Sequence, residues 1–439
     1  MLWAIVFAES VAVAAPSGDA LFTGGGADAV IFRGYVEARG TWTDAETTHW
    51  GATQRLRPTM KVYLWDRVSL KATGEARIDQ GRYDTGEFLY AFEDVLPSDL
   101  SGENQLTYDE LIDRCAWDLD IDRTYDEVGD VLSLERLFLD VNLAAVDLRF
   151  GRQSVNWGSA LFLNPSDIFQ QVLIAEPWQE RAGVDAARAN IPVGDRATVT
   201  ALVGALDNFS TYRGALKGTV NVGSTDISAL GSSDGSRHYA GLDLKGDLSG
   251  PVPLGWWVES IYQLDTGDVT GSAVKAAAGA DYSFNVLNRL YVAAQVYFDS
   301  SGEIPALYDW NSRYDPSLSA IDGCDDEDLG RQLSFPEQPD EYRLTLGRWY
   351  ALNILRLEAT DNLMVTTTTV MNIADQTGLF FPAAAYTIGS RTTLNGGIQY
   401  LYGSDGEFSP PDFQLQSNGV DLSPLQPTVT ALAWVRFNL

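Results

Sequence analysis

The chain has 439 residues, a formal net charge of -30 and 45% hydrophobic residues. The negative charge argues against a nucleic-acid partner, which would require a basic face. The hydrophobic content is too high for a disordered chain. The sequence contains no apolar run long enough for a transmembrane helix.

The N-terminal stretch MLWAIVFAESVAVAAPSG predicts export. It is apolar, and Ala12-Val13-Ala14 fits the small-x-small pattern of a cleavage site, although the usual positive n-region is absent. We therefore predict a signal peptide over residues 1–14 and a single domain over residues 28–439. A buried strand is the alternative interpretation of this stretch.

Segments that alternate between apolar and polar residues follow from residue 30 to the end of the chain. The clearest is 67–79, RVSLKATGEARID, whose even positions are uncharged and whose odd positions are mostly charged. A period of two indicates a β-strand with two different faces. The chain contains about 18 such segments, and 16 is the lower alternative, because 225–231 is short and 341–359 changes phase.

The connections between these segments fall into two classes. If consecutive strands run in opposite directions, short connections lie on one side and long ones on the other. The short ones are Asp66-Arg67, Ala144-Ala145, 192–195, 250–254, 285–288 and Gly389-Ser390, and the long ones are about 81–131, 158–181, 300–340 and 403–424. This distribution is typical of short periplasmic turns and long extracellular loops in an outer-membrane barrel of a Gram-negative bacterium.

The predicted fold is all-β: a single transmembrane, antiparallel, up-and-down β-barrel. Lipid offers no hydrogen-bond partners, so the sheet must close on itself. The apolar face of 67–79 then meets lipid, and the charged face lines a lumen too wide for side chains to fill. The last segment, 429–439, is amphipathic and resembles a C-terminal outer-membrane insertion signal, although Leu439 replaces the usual terminal aromatic residue. A soluble sheet with a buried apolar face is the alternative.

The negative charge is concentrated in two of the long connections. Residues 81–131 hold 15 acidic and three basic residues, and residues 300–341 hold 11 acidic and two basic residues. The cysteines Cys115 and Cys324 lie in these same segments and are candidates for a disulfide bond in an exported protein. The acidic clusters at 118–127 and 325–328 leave calcium binding open, but the turn glycine of an EF-hand is absent.

The inward phase of the first strands is basic instead. Its acidic residues are Glu37, Glu75 and Asp79. The basic residues predicted to line the lumen are Arg33, Arg39, Arg55, Arg57, Lys61, Lys71, Arg77 and Arg149. Arginines lining a channel favour anions, so this wall predicts a pathway for anionic solutes or polymers. Cross-strand pairing between Arg and Glu, with no role in transport, is the alternative.

The most specific motif is 150–169, FGRQSVNWGSALFLNPSDIF. Strict alternation would turn Arg152 toward lipid, and we expect a bulge at Gly151 to redirect it inward. The motif resembles the Gly-Arg-Gln, Trp-Gly and Asn-Pro-x-Asp run of alginate-export and related porin-like barrels. The resemblance implies a gated, arginine-rich conduit with inward-folded loops. Its implied constriction residues are Arg152, Gln153, Asn156, Trp157, Asn164 and Asp167.

Enzyme chemistry is not predicted, and neither is a cofactor or a metal. His49 and His238 are the only histidines, and both are placed in outer loops, the latter near Ser232, Ser233 and Ser236. No P-loop, HExxH or GxSxG motif occurs.

The predicted function is a channel that passes or exports an anionic solute or polysaccharide, with outer-membrane lipid, lipopolysaccharide and periplasmic export proteins as expected partners. The alternative is a surface barrel whose acidic loops bind polysaccharide or lipopolysaccharide.

Overall fold

A computed structural model describes the barrel of this protein. The described residues are 30–44, 48–82, 124–125, 132–161, 163–169, 183–206, 209, 211–250, 253–265, 272–305, 347–404, 406–408, 414–415, 420–421 and 429–439. The predicted signal peptide and both cysteines lie outside these residues, as do the acidic clusters at 118–123, 126–127 and 325–328. Within the described residues, no helix is long and apolar enough to cross a membrane.

Eighteen antiparallel strands form a closed barrel, as the sequence predicted. The wall strands are β1 (Val30–Asp44), β2 (Thr48–Trp65), β3 (Val68–Arg82), β5 (Ser133–Asn142), β6 (Asp147–Gln153), β7 (Val184–Val193), β8 (Ala197–Leu206), β9 (Thr211–Val222), β10 (Thr225–Ser233), β11 (Arg237–Leu248), β12 (Leu254–Asp265), β13 (Ala273–Phe284), β14 (Arg289–Asp299), β15 (Trp349–Glu358), β16 (Leu363–Asn372), β17 (Gly378–Ile388), β18 (Thr392–Tyr402) and β21 (Val429–Asn438). Three short strands lie outside this count: β4 (Thr124–Tyr125), β19 (Gln414–Leu415) and β20 (Val420–Asp421).

Closure comes from pairing between the first and last strands. β21 pairs with β18 on one side and with β1 on the other, so every wall strand has two neighbours. No strand edge is left open, which removes the unpaired backbone groups that lipid could not satisfy. Register shifts occur in β2 between Tyr63 and Trp65, and in the β3–β5 pair after Thr73.

The two faces of residues 67–79 lie as the sequence predicted, with the apolar face outside and the polar face inside. Ile78, in the even phase, is exposed on the outer surface, whereas Ser69 and Thr73, in the odd phase, are buried inside the barrel. The neighbouring strand repeats the pattern, with Leu56 and Met60 outside. Because apolar side chains outside and polar side chains inside are the reverse of a soluble core, the wall is that of a transmembrane barrel.

The connections on the side of the chain termini are all short, and the long connections lie on the opposite side. Each short connection predicted from the sequence joins strand ends on the side of the chain termini. The segments 83–132, 154–183, 300–348 and 403–428 all join strand ends on the opposite side. The two weakest predicted segments are also resolved: 225–231 belongs to β10, and the irregular 341–359 contains β15, which begins at Trp349 after the Gly347-Arg348 step.

Candidate functional site

The segment after β6 enters the barrel instead of staying at its rim. We call residues 154–161 and 163–169 the inner loop. Val155, Trp157 and Ile168 are buried against inward-facing residues of five strands: Val184, Ala186, Leu202, Leu230, Tyr239 and Ile261. Leu163 is fully buried in a second cluster, which contains Tyr297, Tyr350, Leu352, Val370, Leu379, Phe381, Leu432 and Trp434. The loop therefore spans the lumen from β6 and covers the apolar sector of its wall.

One buried carboxylate fixes the backbone of the inner loop. Glu259, on the inward face of β12, is 0% exposed. Its Oε2 accepts hydrogen bonds from the N–H groups of Ser159 at 2.9 Å and Ala160 at 3.0 Å. Its Oε1 accepts one from the N–H of Ser166 at 2.5 Å. Charged acceptors make the stronger hydrogen bonds in proteins, so Glu259 is the main polar anchor of the loop.

A neutral side chain holds the next part of the loop. Gln295, on β14, accepts a hydrogen bond from the N–H of Leu161 at 2.7 Å and donates one to the carbonyl of Leu163 at 3.0 Å. The indole of Trp257 donates to the same Gln295 oxygen at 3.0 Å. Gln295 thus replaces the backbone partners that an irregular segment lacks.

The far end of the loop is held by an ion pair at the outer rim. Arg213, on β9, donates to the carbonyl of Ile168 and, at 2.7 Å, to Asp234 in the turn after β10. Burial of Asp234 acts to raise its pKa, but the hydrogen bond from Arg213, the N–H of Arg237 and the Arg213 charge together lower the pKa below its ordinary value. The carboxylate therefore stays ionised and keeps Arg213 in place.

The opposite sector of the lumen is basic, and we call it the cationic wall. It comprises the inward-facing side chains of β1–β3, β5–β7 and β21. Its cations are Arg33, Arg39, Arg55, Arg57, Lys61, Lys71, Arg77, Arg136, Arg149, Arg188 and Arg436. Its described carboxylates are Glu37, Glu75, Glu135, Asp140 and Asp147. The wall is therefore net positive.

Part of this charge is used in cross-strand pairs, as the alternative interpretation expected. Glu75 lies 3.1 Å from Arg55 and 3.0 Å from Arg57. Asp140 accepts hydrogen bonds from Arg149 at 2.5 and 3.2 Å. These arginines are buried or half-buried, so their side chains are held against the wall. Cross-strand ion pairs neutralise some of the basic residues of the cationic wall but not all of them.

Besides the exposed Arg33, four cations of the wall have no carboxylate in ion-pair distance among the described residues: Lys61, Lys71, Arg136 and Arg188. They are half-buried and lie on β2, β3, β5 and β7. Arg57, Lys61, Arg136 and Arg149 are the charged neighbours of Lys71. Aromatic rings support this group, since the Phe138 ring lies 4.1 Å from the Arg149 guanidinium and 5.9 Å from the Lys71 ammonium.

The bulge expected at Gly151 does not occur. β6 pairs in continuous register with both neighbours, so Arg152 lies opposite Leu137 and Asp185, in the outward phase. Asp185 pairs with Arg152 at 2.6 Å, and the carbonyl of Leu134 accepts a further hydrogen bond from it. The prediction of an inward Arg152 at the constriction was wrong, because a carboxylate on the next strand neutralises the outward charge.

The other motif residues have different positions. Gln153 is buried and donates to the carbonyl of Ala186 at 2.9 Å, whereas Asn156 is exposed. Trp157, Asn164 and Asp167 are buried within the inner loop, where the Asn164 side chain accepts the N–H of Ser166 at 3.1 Å. The motif therefore builds the loop and its junction with β6. Arg33 is exposed near the start of β1.

Sequence reasoning missed the anchors Glu259, Gln295 and Arg213. Glu259 and Gln295 alternate correctly as inward residues of β12 and β14, but nothing in their sequence identifies their partners, which lie 100 and 134 residues earlier. Both histidines were placed in loops, yet His49 belongs to β2 and His238 to β11. His238 lies in the outward phase, and the neighbouring Ser232 and Ser236 hydroxyls donate to the Gly214 carbonyl and to Asp234.

The chain resembles known proteins in its fold and not in its sequence. No family model matches the chain, and no curated protein matches its sequence. Solved structures do match: Pseudomonas aeruginosa OccK8 (OprE) has a TM-score of 0.53 at 9% identity, over 93% of this chain and 98% of that chain. Acinetobacter baumannii OccAB3 has a TM-score of 0.52 at 9% identity, over 93% and 99%.

P. aeruginosa OccK5 (OpdH) matches with a TM-score of 0.51 at 11% identity, over 93% of this chain and 98% of that chain. This chain has the fold of these outer-membrane barrels. At such low identity the likeness extends to the porin-like barrel and no further.

Proposed function

We propose that the protein is an outer-membrane channel for small anionic solutes, and that the solute passes between the inner loop and the cationic wall. The observation that carries the proposal is the group Lys61, Lys71, Arg136 and Arg188, which has no carboxylate partner among the described residues. Cations placed against a wall without counter-charges attract anions from water.

The inner loop directs solutes toward that wall. It packs on the apolar sector formed by residues of β7, β8, β10–β17 and β21, and thereby removes that sector from the aqueous space. Near a protein surface, two unit charges 4 Å apart interact by about 4 kcal/mol. Several cations within reach of one solute can therefore offset the loss of part of its hydration shell.

Arginine and lysine favour different features of the solute. The planar guanidinium of Arg136 or Arg188 matches a carboxylate or phosphate in a bidentate manner, whereas the ammonium groups of Lys61 and Lys71 act as point charges. A carboxylate-bearing solute is therefore the simplest ligand for this wall. An acidic polysaccharide would follow the same cations, so export of such a polymer is the second form of the proposal.

The test is ion selectivity in a planar bilayer, read from the reversal potential under a salt gradient. The wild-type channel should be anion-selective, and Lys71→Gln/Arg136→Gln/Arg188→Gln should lose most of that selectivity. The matched control is Arg152→Gln/Asp185→Asn, which alters charges on the outer surface and should keep it. A cation-selective wild type, or a triple variant with unchanged selectivity, would contradict the proposal.

A further inference from the structure

Three backbone N–H groups of the inner loop converge on a single carboxylate. Those of Ser159 and Ala160 point at one oxygen of Glu259, and that of Ser166 points at the other. The donors come from both sides of the segment 161–165, so one side chain joins two separate parts of the loop. Both carboxylate oxygens are used, and the side chain is fully buried.

The loop backbone is shaped around this carboxylate. Gly158 has a φ of +90°, and a Cβ at this position would lie 2.5 Å from Oε2 and 2.6 Å from Oε1 of Glu259. Glycine is the residue that permits both the left-handed conformation and the close approach. The same Cβ would lie 2.4 Å from the Asn164 side-chain oxygen, so the loop closes tightly over the site.

The neighbouring side chains leave Glu259 as the charged hydrogen-bond acceptor for the N–H groups of the inner loop. Asp243 lies directly opposite it on β11, but its carboxylate is paired with Lys217 at 3.5 Å. On the other side, Ala277 of β13 is its cross-strand partner. Gln295 supports Leu161 and Leu163 and offers no charge. The Asn164 side-chain oxygen also accepts the Ser166 N–H, at 3.1 Å, but it carries no charge and makes the weaker bond.

We infer that the inner loop contains a receptor for a carboxylate, built from the N–H groups of Ser159, Ala160 and Ser166, and that the protein fills it with its own Glu259. Glu259 is thus a positioning residue: it touches no solute but fixes the loop that bounds the pathway. This inference rests on the proposed channel function only where it concerns conduction. The receptor itself concerns the loop alone.

Chemical rescue tests the receptor directly. Glu259→Ala removes the acceptor of the Ser159 and Ala160 N–H groups and leaves the Ser166 N–H with only the Asn164 side-chain oxygen, at 3.1 Å. Formate supplies a carboxylate of matching size. Backbone amide exchange of residues 158–167, measured on the full chain in detergent, should be at least tenfold faster in the variant. Formate in the millimolar range should restore protection, and formamide, a neutral isostere, should not.

Two further variants keep the test decisive. Glu259→Gln is isosteric but keeps one acceptor oxygen, so its NH2 group faces a loop N–H at the other position. Exchange should therefore rise even if Glu259→Ala fails to fold. Asp243→Asn alters the neighbouring carboxylate and should leave loop exchange unchanged. In planar bilayers, Glu259→Gln should show larger and noisier conductance steps than the wild type.

The outcomes separate the two proposals. Wild-type exchange rates in both Glu259 variants would overturn the positioning role. Faster exchange that formate and formamide restore equally, or that neither restores, would overturn the carboxylate receptor. A wild-type channel that prefers cations would contradict the proposed function but leave the exchange result standing.

Discussion

Arg436 of the last strand donates two hydrogen bonds, of 2.9 and 2.7 Å, to one carboxylate oxygen of Glu37 on the first strand. The pair spans the seam at which the barrel closes, and it faces the lumen. The Arg436 guanidinium also lies 4.2 Å from the centre of the Tyr35 ring. Backbone pairing between β1 and β21 is therefore reinforced by a side-chain ion pair across the seam.

Glu37→Ala should destabilise the barrel, because it leaves a half-buried guanidinium without its counter-charge at the seam. Removing one partner of a buried ion pair costs about 3–5 kcal/mol. The measurement is the free energy of unfolding in urea with the protein in lipid vesicles. Glu358→Ala is the control, since the pair of Glu358 with Arg289 is largely exposed and should contribute less than about 1 kcal/mol. Equal losses in the two variants would contradict a special role for the seam pair.

Arg152→Ala should lower stability without altering ion selectivity. The substitution leaves Asp185 as an unpaired charge in the outward phase of the wall. An outward Arg or Lys costs about 2–4 kcal/mol at the bilayer midplane, and an Asp costs less. Arg152→Gln/Asp185→Asn should recover most of the loss, because neither charge remains. A marked change in reversal potential in Arg152→Ala would instead place this side chain on the pathway.

Gly158→Ala should release the inner loop while the barrel stays folded. The added Cβ meets both Glu259 carboxylate oxygens, and the residue keeps an unfavourable positive φ. Amide exchange of residues 158–167 should rise, and the heat-modifiable mobility of the barrel on a gel should not change.

Gly389→Ala is the matched control, since Gly389 also has a positive φ but its Cβ would have no atom within 4 Å. Its cost should be limited to backbone strain, about 1 kcal/mol. If the two variants released the inner loop equally, contact with Glu259 would not be the cause.

Asp234 should stabilise the outer end of the inner loop at every pH above its unfolded value. Its folded pKa is lowered from an ordinary value of 3.8, so its contribution is fully present above that pH and is lost as the pH falls through the folded pKa. The difference in unfolding free energy between wild type and Asp234→Asn should stay constant from about pH 7 to pH 5 and shrink only below about pH 4. A difference that declines between pH 7 and pH 5 would argue against the lowered pKa.

Asp140→Asn should increase anion selectivity. The substitution removes the carboxylate that Arg149 contacts at 2.5 Å, so one more cation of the wall faces the lumen without a counter-charge. The reversal potential under a salt gradient should shift toward the anion limit. Asp185→Asn, which removes an outward carboxylate, should leave that potential unchanged.

The fold could be predicted because its evidence is local and repeated. In 67–79 the alternation alone assigns Ile78 to lipid and Ser69 to the lumen, and the exposures agree. The same holds for β21, where Val435 and Phe437 are outside and Leu432 and Trp434 are inside. Each strand of a barrel obeys one rule of alternation, so even the weak segment at 225–231 could be recovered by its place in the sequence of strands.

The site could be predicted only in part, because its contacts join distant segments. The basic character of β1–β3 is visible in the sequence, but the pairing of Glu75 with both Arg55 and Arg57 depends on strand register. The outward Arg152 was assigned inward because its partner, Asp185, lies 33 residues later along the chain. Glu259 was one acidic residue among 60, and its partners are turned toward it only by the path of the inner loop.

The inner loop and the cationic wall are held by different parts of the chain. Glu259 and Gln295, which fix the loop, lie on β12 and β14, whereas Lys61, Lys71, Arg136 and Arg188 lie on β2, β3, β5 and β7. In the proposed channel, aperture and charge preference are therefore separate traits, and each can change without the other. Substitutions in the cationic wall can change which ions are favoured without changing the pore diameter. Insertions in the inner loop can change the size of the solute that passes without changing the charge preference.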